Sequence, residues 1–234
     1  MKAADLFLLV SMKLQDLGPQ AERRWPWEVD PSGLKASLTD FLNAALRQLC
    51  LVRPDAFAVT ENVRLVAGVR QTLPDPDVHG CTSKAAILMD LVCNMGGDGL
   101  TRGWPISRAS KEALAALDWS ESDTVVRNFA YDPKGDPDVY YVFPGVRAGK
   151  TVWVEAVFSA QPGAISGSTA DLPVPDSFAG PLEHWILYEV FSGDSSNSNQ
   201  GRAQFHFKSF FDVLGVKLQS ERYFKPQAQE PEGA

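Results

Sequence analysis

The sequence predicts an α+β protein, with helices at the two ends of the chain and strands between them. Three observations carry that prediction. Apolar residues recur with a 3.6-residue period in the first fifty residues and again from Phe178 onward. Between about Phe57 and Phe158 the period falls to two, and β-branched and aromatic residues become prominent. Turns rich in Pro, Gly and Asp punctuate that middle stretch. The expected plan is a helical bundle from residues 1–56 and 172–216, an inserted β-rich module (sheet- or barrel-like) over 57–171, and an extended tail over 217–234.

A first helix is expected over Lys2–Leu17, ended by Gly18-Pro19. Its apolar run, Leu6–Val10, is too short for a targeting segment and has no small-residue cleavage site after it. Arg23-Arg24-Trp25-Pro26-Trp27 is a connector. Its two tryptophans are a candidate contact patch, or a loop packed down by its indoles. The next helix organises the chain. Leu38, Phe41, Leu42, Ala45, Leu46, Leu49 and Cys50 share one helical face, and Ser37 with Asp40 gives a capping-box-like start. Pro54 stops it, because it biases Arg53 away from helical angles.

Phe57, Val59, Val63 and Leu65 then alternate with polar residues, and Glu61 on the apolar side marks an edge or bulge. Ala67-Gly68 reads as the turn of a hairpin whose second strand is Val69–Leu73. Asp75, Asp77, His79 and Cys81 fall in a turn-rich loop without a recognised metal-ligand spacing. Ala86–Met95 reads as a buried strand or a short helix, and Gly96–Gly99 as a flexible loop lacking the residues of a phosphate-binding loop. Ser107–Leu117 predicts a short helix capped by Ser107 or Ser110.

Val125–Tyr131 and Val139–Phe143 flank a turn and predict a hairpin. That turn carries Asp132, Lys134 and Asp136 but lacks the Gly and Glu of a calcium loop. Thr151–Phe158 has bulk on both faces, so it is central or meets another subunit through Trp153 and Val157. After a surface linker, Phe178–Phe191 is apolar around so much of its circumference that it is buried on more than one side; Trp185 and Tyr188 are candidate subunit contacts. A last helix places Ala203, Phe207, Phe210, Phe211 and Leu214 on one face and closes at Gly215. His184 and His206 on these helices read as solvated or core-edge histidines. The tail from Lys217 lacks periodicity, and Arg222-Tyr223-Phe224-Lys225 is its candidate anchor on a partner.

The chain has 234 residues, 44% hydrophobic and 22% charged, with formal net charge −7. Such a balance disfavours tight wrapping of nucleic acid and suits DNA passing without adhesion. Three widely spaced cysteines argue against a disulfide framework and a zinc knuckle. Nothing approaches the length of a membrane span. There is no GxSxG, HExxH or Walker motif, so no cofactor and no enzymatic reaction is expected.

The run FLNAALRQLCLVRPDAFAVTENVRLVAGVRQTLP resembles the head-to-tail connector (adaptor, or neck) proteins of tailed double-stranded DNA bacteriophages. MDLVCNMG, VRNFAYDPKGDPDVYYVFP and LPVPDSFAGPLEHWILYEVFS continue the resemblance in order, from about Leu34 to Val216. It implies a structural virion protein in the neck, assembled in the host cytoplasm. It also implies a homo-oligomeric ring, a dodecamer, with the portal protein above, a tail tube or nozzle protein below and double-stranded DNA passing through. The alternatives are a tail terminator or tail-tube component, or a packaging-associated hydrolase using a metal at Asp75, Asp77 and His79.

Overall fold

A computed structural model describes residues 1–16, 24–32, 35–117, 119–193 and 197–224. Among the described residues the helices are α1 (Ala3–Leu14), α2 (Leu38–Val52), α3 (Pro76–His79), α4 (Lys111–Ala115), α5 (Ala179–Ser192) and α6 (Asn197–Phe224). The strands are β1 (Ala58–Leu65), β2 (Gly68–Thr72), β3 (Ala85–Asn94), β4 (Ser107–Arg108), β5 (Ser122–Asp123), β6 (Asn128–Tyr131), β7 (Val139–Val146) and β8 (Val152–Ala160). The fold is α+β, with terminal helices flanking a β-rich region. It divides into two compact units, Met1–Leu49 with Gly163–Ala234, and Cys50–Pro162.

In the helical unit α1 buries Ala3, Leu6, Phe7 and Val10, the i, i+3, i+4, i+7 face of its sequence. It stops earlier than expected. Gln15 takes a left-handed φ of 57° and donates its N–H to the Met12 carbonyl at 3.2 Å, so the chain leaves the helix before Gly18-Pro19, which lie outside the described residues. The start of α2 is as expected. Ser37 Oγ accepts from the Asp40 N–H at 3.1 Å, and Asp40 Oδ2 accepts from the Ser37 N–H at 3.0 Å. Its predicted face is buried at Leu38, Leu42, Ala45, Leu46 and Leu49. The helix ends at Val52, and Pro54–Phe57 forms a 3₁₀ turn held by Arg53, whose guanidinium donates to both carboxylate oxygens of Asp55 at 2.8 and 2.6 Å.

α5 and α6 pack antiparallel: Trp185 meets Phe210, Tyr188 meets Phe207 and Phe191 meets His206. α6 does not close at Gly215 but continues to Phe224. A single Gly inside a helix costs only about 1 kcal/mol, and the Lys217, Leu218, Gln219, Glu221 and Arg222 that follow are good helix formers. The extended tail expected from residue 217 is therefore helical as far as 224.

In the β unit β1, β8 and β3 form one antiparallel sheet with β8 in the centre. The second sheet runs β2-β7-β6-β4, with β5 parallel to β7. One hydrophobic core joins the two: Val63, Leu91, Val154 and Phe158 from the first sheet, and Phe129, Tyr140 and Val142 from the second. Alternation decides this. In β7, Tyr140 and Val142 enter that core while Phe143 turns outward to Leu114 of α4.

The predicted hairpin Val125–Tyr131/Val139–Phe143 is β6–β7, in register from Asn128↔Phe143 to Tyr131↔Tyr140. The other predicted hairpin does not form. β1 pairs with β8 and β2 with β7, so Val66-Ala67-Gly68 is a corner between sheets. Gln71 holds it: its amide donates to the carbonyls of Val66 at 2.8 Å and Gly68 at 3.0 Å, and its oxygen accepts from the Val66 N–H at 2.8 Å. Gly68 supplies the φ of +102° that the bend requires. Glu61 does lie on an edge strand, where its carboxylate accepts from Thr82 and Ser83. Ser107-Arg108 is a short strand beside β6 rather than the start of a helix, and Ser110 caps α4 by accepting from the Ala113 N–H at 3.1 Å. Leu117, beyond that helix, is exposed instead of docked.

Candidate assembly surfaces

The densest aromatic surface lies along α5 and α6. Trp185 is buried there, edge-on to Tyr188 (5.2 Å between ring centroids) and to Phe210 (5.0 Å). Tyr188 is half-buried against Phe207 at 5.2 Å, and Phe207 touches Phe211 at 5.0 Å. The predicted inner face of α6 is narrower than expected. Ala203, Phe210 and Leu214 are buried, while Phe207 and Phe211 keep 41% and 37% of their surface exposed. Tyr188, Phe207 and Phe211 thus form a row of rings half in water.

On another side of the seam His184 and His206 approach Nδ1 to Nδ1 at 3.0 Å, so one donates and the other accepts. Phe191 stacks on His206, Arg202 lies over Phe191, and Lys13 pairs with Glu183 beside the pair. Burial, reinforced by the nearby His184, lowers the His206 pKa to about 4; burial also lowers that of His184.

The connector tryptophans pack onto their own unit. Trp27 donates its indole N–H to Ser11 Oγ at 3.0 Å and faces Phe7; Trp25 sits edge-on to Phe41 at 5.6 Å. The Asp132–Asp138 turn is closed by Asp132, whose carboxylate accepts from the Lys134 N–H at 3.1 Å and whose carbonyl accepts from the Asp136 N–H at 3.0 Å. Asp132 and Lys134 are exposed and Asp136 is half-buried.

On β8, Val157 is half-buried on the outer face, paired across to Thr60 and Asp90. Trp153 lies on the same face, between two glycines. A Cβ at Gly80 would stand 3.1 Å from its ring, and one at Gly99 3.0 Å, so the loops at residues 80 and 99 close over it. Arg222, Tyr223 and Phe224 fall at the end of α6, and Lys225 lies outside the described residues.

The loop after β3 is held by side chains rather than left free. Gly96 and Gly99 adopt positive φ, and the Asp98 carboxylate accepts from the N–H groups of Leu100 and Thr101 at 3.0 and 3.2 Å. Beyond it stand Leu100 and Trp104, 82% and 76% exposed. Sequence reasoning passed over both. The available signal was two bulky apolar residues in a segment without periodicity.

The Asp75–Cys81 loop does not gather ligands. Asp75 caps Asp77 at 3.1 Å and pairs with Lys84 at 3.0 Å, while fully buried His79 accepts the Asp75 N–H on Nδ1 at 3.1 Å. Among the described residues no three His, Cys, Asp or Glu stand as a group able to hold a metal, and no helix is long and apolar enough to cross a membrane.

Exposed aromatic and apolar patches of this kind mark surfaces that meet other molecules. The family of SU10 adaptor proteins matches residues 1–230, and the chain belongs to that family of bacteriophage adaptors. A search of curated proteins finds no match. Its role is that of a structural phage adaptor in the neck of the virion, whose partners are portal and tail components.

Proposed function

We propose that copies of this chain form a closed ring, twelve in the plan the family resemblance implies, that seats on the portal protein. The same ring receives the tail tube or nozzle protein and continues the DNA channel. The observation that carries this is the family match over nearly the whole chain, joined to an aromatic row on α5 and α6 left half in water. A ring contact is heterologous, so each copy needs two unlike faces. Tyr188, backed by the buried Trp185, and the outer face of β8 at Trp153 and Val157 serve neighbouring copies. The turn at Asp132, Lys134 and Asp136 and the connector at Trp25 and Trp27 serve the portal or tail. The segment Arg222–Lys225, carried out by α6, docks on the portal. A net charge of −7 lets double-stranded DNA slide through without sequence-specific binding.

Sedimentation of the chain mixed with its portal protein tests this. Many copies should move with each portal, and a chain ending at residue 216 should stay folded yet bind the portal more weakly. A chain that caps or extends tail tubes and ignores the portal would be a tail component instead. Equal portal binding by the shortened chain would reject the docking role of 222–225.

A further inference from the structure

We infer that the contact between His184 and His206 is an acid-sensitive latch: at neutral pH it holds α5 and α6 together, and uptake of a second proton by the pair parts the two helices there while the rest of the chain stays folded. The inference stands apart from the ring reading and needs no partner.

The geometry limits the number of protons. The two Nδ1 atoms are 3.0 Å apart, so they share one proton between them. A first added proton goes to Nε2 of the donating ring and leaves the bond in place. A second must go to the accepting Nδ1, and two N–H groups then point at each other within hydrogen-bond distance. Such a pair takes up its protons in coupled steps. Both rings are half-buried between aromatic walls: Phe191 stacks on His206 with 5.7 Å between centroids, and Phe205 stands edge-on to both histidines. Apolar rings replace water there and do not solvate the added charge.

The charged neighbours make the second step harder. Lys13 faces the pair from α1, Glu183 from α5 and Arg202 from α6. Two of these are cations. Glu183 opposes them, but it is already paired with Lys13. A cavity of about 330 Å³, lined by Lys13, Gln15, Phe191, Arg202 and His206, opens beside the ring and gives a charged His206 room to turn away from His184. The contacts further along the seam, Trp185 against Phe210 at 5.0 Å and the buried Leu214, carry no group that titrates, so the opening stays local. Linkage gives the sign. Opened rings regain the ordinary pKa of 6.5, above that of the closed pair, so closure is complete above pH 6.5 and weakens as pH falls towards 4. For His206 alone the opening equilibrium is about twentyfold larger at pH 5 than at pH 7.

The test is hydrogen–deuterium exchange of the full chain at pH 7 and pH 5, corrected for the intrinsic effect of pH on exchange. Amides in 183–192 and 200–209 should lose protection about twentyfold at pH 5, while those of β8 keep theirs. No loss at the seam, or an equal loss in both units, would overturn the inference. His206→Asn sets an amide where Nδ1 stands, able to donate or accept, so its seam should change no more than about threefold between the two pH values. A change as large as the wild type's would overturn the inference. Should that variant fail to fold, nitrogen NMR of the wild-type rings decides. At pH 7 one ring should carry Nδ1–H and the other Nε2–H, and the second proton should arrive together with the loss of seam protection. Two rings titrating independently near pH 6.5 in a seam that stays protected would overturn the inference.

Discussion

Asn94 sits almost fully buried at the end of β3 and uses its whole side-chain amide. It donates to the carbonyls of Trp104 at 2.9 Å and Val126 at 2.8 Å, and accepts from the Val126 N–H at 2.9 Å. Asn94→Ala strips the buried Val126 N–H and carbonyl of their partner, while the Trp104 carbonyl keeps the backbone N–H of residue 94, and this costs about 2–4 kcal/mol. A lower urea midpoint with unchanged slope would register that loss; a midpoint equal to the wild type would contradict it. At the α5–α6 seam the folded pKa of His206, about 4, lies below its ordinary 6.5. The neutral ring is the folded form, so this contribution is complete above pH 6.5 and is lost as pH falls from 6.5 towards 4. His184, Lys13, Glu183 and Arg202 are the charged or titratable groups around it. Melting curves of His206→Phe should therefore fall less steeply with acid across that window than wild type; parallel curves would refute the assignment. Residues whose partners are neighbours in sequence were legible: Ser37 with Asp40 and Ser110 with Ala113. Asn94 and Gln71 were not, because the groups they satisfy are set by sheet geometry rather than by spacing.

At the scale of elements, period-two alternation located the strands but not their partners. β1 and β2 alternate just as a hairpin would, and only pairing with β8 and β7 shows that the chain turns a corner between them. The central place of Thr151–Phe158 was legible from its bulk on both faces, since a middle strand of a covered sheet has no polar side. The end of α6 was not, because Gly215 is a helix stop only where the chain after it leaves the helix. Phe210 and Phe207 separate burial from display on that one helix. Phe210→Ala removes a fully buried ring and should cost about 3–5 kcal/mol in thermal or denaturant unfolding. Phe207→Ser should change stability by well under half that and act on assembly instead. Equal destabilisation by the two would contradict the half-exposed placement of Phe207.

At the scale of the molecule, the β unit begins and ends at one place. Ala58 is paired with Ser159, and Cys50 Sγ lies 3.6 Å from Ser159 Oγ. A unit entered and left at a single point behaves as an insertion, and residues 50–162 expressed alone should fold, with a cooperative melt and β-type circular dichroism. A molten or insoluble fragment would count against that independence. The segregation of helices and strands was legible because it is a matter of period over long windows. The surfaces that suit assembly were less so, since exposure is decided by tertiary packing. The central claim is that this chain tiles a circle on a phage portal. Cryo-electron imaging of the chain bound to its portal tests it most directly. A closed ring coaxial with the portal, with an open channel and the aromatic row of α5 and α6 covered by the adjoining copy, is the predicted result. Scattered single copies on the portal, or a ring that leaves that row in solvent, would contradict it.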